Sequence, residues 1–230
     1  AAFAAGLLAA TSAVPALAEA TSTPALVGAP LPESVPSDLP RNARPLRYEI
    51  EVTPDAKNLA FAGRSSVDIE LYEATDTLTL HANALEFSEA RLLPASGGSD
   101  IALKTELDPE AQTVRLVAPS PIAPGRHRLV FAYTGQIQTQ ASGLFALDYP
   151  DKRTGEEVRG LFTQFEAPDA RRFAPMFDEP SYKATFDLSA IVPAGQMAVS
   201  NMPVLREEPL PGGLKRVTFA TSPKMSSYLL

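Results

Sequence analysis

Gln164 and Glu166 close an apolar run, Leu161-Phe162-Thr163-Gln164-Phe165-Glu166, with Pro168 just beyond. If the run is a strand, residues two apart share a face, about 6–7 Å from one another. Gln164 and Glu166 then point one way and Phe165 points the other, into a core. Pro168 must end the strand, because it has no N–H to donate to a ladder. An amide beside a carboxylate at a strand end is a polar pair that can receive a cation. A carboxylate only accepts hydrogen bonds, so an ammonium group suits it. Spacing alone leaves a second reading open: Glu166 forms a structural ion pair with Arg171 or Arg172.

The next polar group is Asp178-Glu179, ahead of Pro180. Two carboxylates before a proline predict a tight turn in which Asp178 accepts backbone N–H groups. A glycosidase acid/base pair needs carboxyls at least about 5 Å apart across a cleft, which adjacent residues rarely provide. Asp178 is expected to bond Arg171 or the loop backbone. The two histidines, His81 and His127, have no H-x-H or H-x-x-x-H partner. Each is expected at the surface or half-buried at a strand end, and neither is expected to bind metal.

Composition bounds the rest. The 230 residues carry Lys+Arg 20 against Asp+Glu 27, a net charge of -7, which argues against a nucleic-acid partner. With Cys 0, disulfides, thiol catalysis and Cys-ligated zinc are excluded. Residues 1–18 run through Phe3, Leu7 and Leu8 to Ala16-Leu17-Ala18, an h-region and a small-x-small cleavage site. They are expected to be a signal peptide whose n-region is missing, and the protein to be exported, to a periplasm or outside the cell. Thr11, Ser12 and Pro15 leave too short an apolar stretch for a transmembrane span. Residues 19–38 are expected to be a Pro-rich linker, holding Pro24, Pro30, Pro32 and Pro36.

From about residue 39 onward the pattern has a period of two. Tyr48, Ile50 and Val52 alternate with charged neighbours. So do Val67, Ile69 and Leu71, and the pattern returns at 78–80, 114–116, 129–133, 186–190 and 217–219. Each run predicts a strand with one buried face. Pro54-Asp55, Gly97-Gly98, Asp108-Pro109, Pro124-Gly125 and Gly212-Gly213 break the runs. The fold class is all-β, an antiparallel β-sandwich with very little helix. A single short helical turn is predicted between Pro168 and Phe173.

These residues resemble a known family. Thr163-Gln164-Phe165-Glu166, Asp169-Ala170-Arg171-Arg172, Pro175-x-Phe177-Asp178-Glu179-Pro180 and Lys183-Ala184-x-Phe186 are similar to the N-terminal domain of the zinc aminopeptidases of the aminopeptidase N family. Pro40-Arg41-x-x-Arg44-Pro45, Phe61-x-Gly63, Ser142-Gly143-Leu144-Phe145, Ser200-Asn201-Met202-Pro203 and Pro223-x-Met225-Ser226 follow in the order this resemblance requires. Met176 and Ala174 depart from the usual pattern.

The resemblance implies a saddle-like β domain over 39–230, packed in the parent protein on a zinc-bearing catalytic domain whose H-E-x-x-H motif lies outside this chain. It implies that Glu166 binds the α-ammonium of a peptide substrate and that Gln164 lines the first side-chain pocket. Arg171, Asp178 and Glu179 belong to the structural motif. No catalytic residue and no metal ligand is expected here, and the chain is expected to stop within a strand at Tyr228-Leu229-Leu230. Alone it is expected to be inactive and aggregation-prone, with an apolar patch near Phe162 and Phe177. The competing expectation is a non-catalytic secreted β-sandwich that binds or scaffolds.

Overall fold

The computed structural model describes residues 28–95, 97–166 and 168–230. The signal-peptide reading of residues 1–18 and the first part of the linker lie outside the described residues. Among the described residues thirteen strands follow one another: β1 (Ala43–Asp55), β2 (Ala60–Leu71), β3 (Thr75–His81), β4 (Leu85–Pro94), β5 (Ile101–Ala102), β6 (Lys104–Asp108) and β7 (Thr113–Ile122). Then come β8 (Gly125–Gln136), β9 (Gly143–Pro150), β10 (Glu157–Gln164), β11 (Thr185–Pro193), β12 (Val204–Leu210) and β13 (Leu214–Phe219). The helical content among the described residues is two short 3-10 turns, Ala170–Arg172 and Ser227–Leu229. The first lies where the sequence predicted a helical turn. The second replaces the strand expected at the end of the chain.

The strands form an eight-stranded sheet in the order β12-β13-β11-β1-β2-β8-β4-β5, a three-stranded sheet β3-β7-β6, and a two-stranded ribbon of β9 and β10. The period-two reading becomes burial: Tyr48, Ile50 and Val52 in β1, and Leu129, Phe131 and Tyr133 in β8, all point inward. Leu78, Leu80, Val114 and Leu116 from the smaller sheet join the same core. Each large side chain buried this way contributes about 1.5–3 kcal/mol. Gly63 gives room to one of them. A Cβ there would stand 2.3 Å from the Tyr133 ring, so any side chain would displace the aromatic.

The wide sheet is not wholly antiparallel. β1 pairs with β2 antiparallel on one side and with β11 parallel on the other, Tyr48 opposite Phe186. Those two rings stack at 5.0 Å, and Arg47 Nε donates to Asp187 Oδ2 beside them at 2.5 Å.

The stretch read as an extended linker is tied down over its described part. The N–H of Gly28 donates to the buried Glu70 Oε2 at 3.1 Å, and Tyr72 OH donates to the Ala29 carbonyl at 3.0 Å. Glu179 Oε1 accepts the N–H groups of Asp38 at 2.8 Å and Leu39 at 3.3 Å. No described helix is long and apolar enough to cross a membrane.

Candidate functional site

The candidate site is the turn that joins β10 to the 3-10 turn Ala170–Arg172. The ribbon of β9 and β10 carries Gln164 to its end, where it pairs with Gly143. The strand stops there and does not run on to Glu166. Phe165 turns into the core at 1% exposure and packs on Phe173, ring centroids 5.3 Å apart. Glu166 follows in a turn, exposed, so its direction comes from the turn and not from the strand alternation that the sequence suggested. Gln164 is exposed as well.

The two arginines that might have neutralised Glu166 are engaged elsewhere. Arg171 is buried and donates through Nε to Asp178 Oδ2 at 3.1 Å and through Nη2 to the Asp178 carbonyl at 3.1 Å. Arg172 donates through Nε to Asp169 Oδ1 at 2.9 Å. Among the described residues the Glu166 carboxylate makes no hydrogen bond or ion pair. The structural ion pair left open by the sequence is therefore formed by other carboxylates.

Asp178 is the centre of a buried knot. Its Oδ2 also accepts the backbone N–H of Arg171 at 3.1 Å, and its Oδ1 accepts from Ser227 Oγ at 2.5 Å. Its own N–H donates to His81 Nδ1 at 3.3 Å. The expectation that Asp178 bonds Arg171 or the loop backbone holds on both counts. This knot fixes the far end of the segment whose near end presents Glu166.

His81 and His127 are not at the surface. His81 is 1% exposed and His127 is 8% exposed. The strand-end position misled the reading: β3 ends at His81, but Met176 forms a backbone bridge over it. Burial, reinforced by the nearby Arg171 charge, pushes the His81 pKa down to about 4 against a smaller opposing pull from Asp38. The ring is neutral at pH 7.

Asp38, His81 and Glu179 bring one donor atom each within 4.8 Å of one another, a gathering that sequence spacing did not reveal. Its chemistry does not fit a hydrolytic zinc. A neutral imidazole whose Nδ1 accepts the Asp178 N–H carries its proton on Nε2, and has no lone pair left for a cation. His127 Nε2 lies 2.8 Å from the Ala123 carbonyl, which can only accept, so that nitrogen too is protonated. No catalytic step through zinc is assigned to these residues.

One exposed surface stands beside the site. Phe145, Leu147 and Tyr149 of β9 share a face with Val158, Gly160 and Phe162 of β10, cross-strand partners in that register. Leu147 is 52% exposed, Tyr149 43% and Phe162 44%. Gln164 lies at the end of this apolar face. Phe177, expected in the same patch, is instead in the core at 2% exposure, where it packs on Tyr182.

The described residues thus form an all-β domain with a polar turn beside an exposed apolar ribbon. Residues 44–229 match the Peptidase M1 N-terminal domain, and the chain belongs to that family. It is 38% identical over 194 residues to an aminopeptidase N from Acetobacter pasteurianus, covering 84% of this chain and 52% of the relative. It is 37% identical over 193 residues to the puromycin-sensitive aminopeptidase of Caenorhabditis elegans, covering 84% of this chain and 20% of the relative. The alanine/arginine aminopeptidase of Saccharomyces cerevisiae is 32% identical over 197 residues, with 22% of its length covered. The chain thus spans about half the length of the first of these relatives and about a fifth of the other two.

Proposed function

We propose that this chain is the N-terminal β domain of an exported zinc aminopeptidase, and that it supplies contacts to the substrate's free amino end. Glu166 receives the α-ammonium group, and Gln164 lines the pocket for the first side chain. A zinc held by a catalytic domain outside these residues would supply the activated water and the polarisation of the scissile carbonyl. The apolar face of β9 and β10 is the natural seat for that domain. Export is supported by the apolar segment and cleavage pattern of residues 1–18.

The observation that carries the reading is the uncommitted carboxylate of Glu166, with both neighbouring arginines held by Asp178 and Asp169. A carboxylate pairing with an ammonium holds only chains with a free amino end and sets the first peptide bond at a fixed distance from the contact. An internal peptide segment offers no such charge and would leave the carboxylate unpaired. Release of single residues from the amino end follows from that selectivity.

The test is Glu166→Gln in the complete protein, assayed on an alanyl arylamide. Where the bound peptide and the catalytic domain close the contact off from water, its loss is on the order of 2–5 kcal/mol and should lower kcat/KM by roughly thirtyfold or more. Unchanged kcat/KM would remove Glu166 from the site.

A further inference from the structure

Asp169 has two carboxylate oxygens and each has one donor. Ser142 Oγ donates to Oδ2 at 2.9 Å, and Arg172 Nε donates to Oδ1 at 2.9 Å. Its backbone is engaged too: its N–H donates to the Phe165 carbonyl at 3.2 Å, and its carbonyl accepts the Arg172 N–H at 3.1 Å. Two of these bonds end beside the candidate substrate contacts. Phe165 is the residue before Glu166, so the Asp169-to-Phe165 bond closes the turn that carries the Glu166 side chain. Ser142 is the residue before Gly143, the cross-strand partner of Gln164.

The bracing needs a close approach. Gly143 sits at φ +65, and a Cβ there would come within 3.0 Å of the Arg172 Cβ. Arg172 therefore lies flat against the start of β9, held there by Asp169. Exposed turns without such bracing sample many conformations, and ordering one on binding costs backbone entropy.

We infer that Asp169 is the positioning residue of the site. Through Ser142 and Arg172 it locks the end of the ribbon to the turn and fixes Gln164 and Glu166 relative to each other. The inference rests on the proposed role of Glu166, and it adds that the peptide's amino end is read by a pre-set carboxylate rather than a mobile one.

The experiment is a double-mutant cycle in the complete protein, with alanine p-nitroanilide as substrate. Asp169→Ala should raise KM about tenfold or more while kcat changes less than threefold. Ser142→Ala, which removes one arm and leaves the ion pair with Arg172, should raise KM by a smaller factor in the same direction. Asp169→Ala added to Glu166→Gln should cost less than the product of the two separate effects, because only the Gln164 contact still has a position to lose. Unchanged KM in both Asp169→Ala and Ser142→Ala, or effects of Asp169→Ala and Glu166→Gln that multiply, would overturn the inference while leaving Glu166 in place. Unchanged kinetics in Glu166→Gln by itself would bring down the reading beneath it.

Discussion

Arg171 and Asp178 lie seven residues apart and close a ring in which the carboxylate of one caps both the backbone N–H and the side chain of the other, each at 3.1 Å. Both side chains are buried, at 8% and 2% exposure. Removing one member of a buried pair strands the other charge, a cost of about 3–5 kcal/mol. Asp178→Ala should therefore lower stability by roughly that amount, read as the shift of the urea midpoint. Asp178→Asn, which keeps an oxygen for the Arg171 N–H, should cost less. An Asp178→Ala midpoint equal to that of the parent would mean the ring is not formed.

His81 gives the fold a pH dependence with a defined sign. Its pKa is pushed down to about 4 in the fold, below the ordinary histidine value of 6.5. Between those two values the unfolded chain binds the proton and the folded one does not, so stability falls as pH drops. The fall begins near pH 6.5 and is complete near pH 4, amounting to about 3 kcal/mol. Above pH 6.5 His81 contributes no slope. His81→Gln, which cannot titrate, should show a shallower loss of stability across that window. Parallel curves for the two proteins would refute the buried neutral ring.

The apolar face of the ribbon predicts self-association. Exposed contiguous apolar surface on a two-stranded element is a docking or aggregation site. Leu147→Lys together with Tyr149→Lys should shift the purified chain from associated species to monomer in sedimentation velocity. Phe162→Thr should do the same at an added cost of about 1 kcal/mol, because that ring also packs on Phe145 at 5.8 Å. A monomeric parent chain at high concentration would contradict the prediction.

What the sequence disclosed and what it hid follow from periodicity. β1, β2, β8 and β13 were readable because each keeps one parity of apolar residues along its length. β4 was not, because its register slips between Phe87 and Glu89. The bulge moves the inward positions from Leu85 to Ala90 and Leu92, so a strict alternation test fails on it. β12 was missed for another reason. It is an edge strand with Pro209 near its end and mostly exposed residues, and its pairing depends on β13 rather than on its own pattern. At the site, Gln164 and Glu166 stood out as a polar pair from residue type and spacing, and the resemblance supplied the roles expected of them. The shared strand face expected for them does not form, since β10 ends at Gln164 and Phe165 turns into the core. His81 looked superficial because nothing nearby in sequence says that Met176 will lie across it.

The parallel seam between β1 and β11 has a consequence for how the polypeptide acquires its shape during translation. Arg47 and Asp187, which meet across that seam, are 140 positions apart, so the central strand waits until the ribosome has delivered the chain through β11. Until then one flank of β1 stays open, and the loop that must close is long, which slows the search without greatly weakening the finished product. A nascent chain paused before residue 185 would hold β1 paired to β2 only, and would be the species most vulnerable to proteases and most receptive to chaperones.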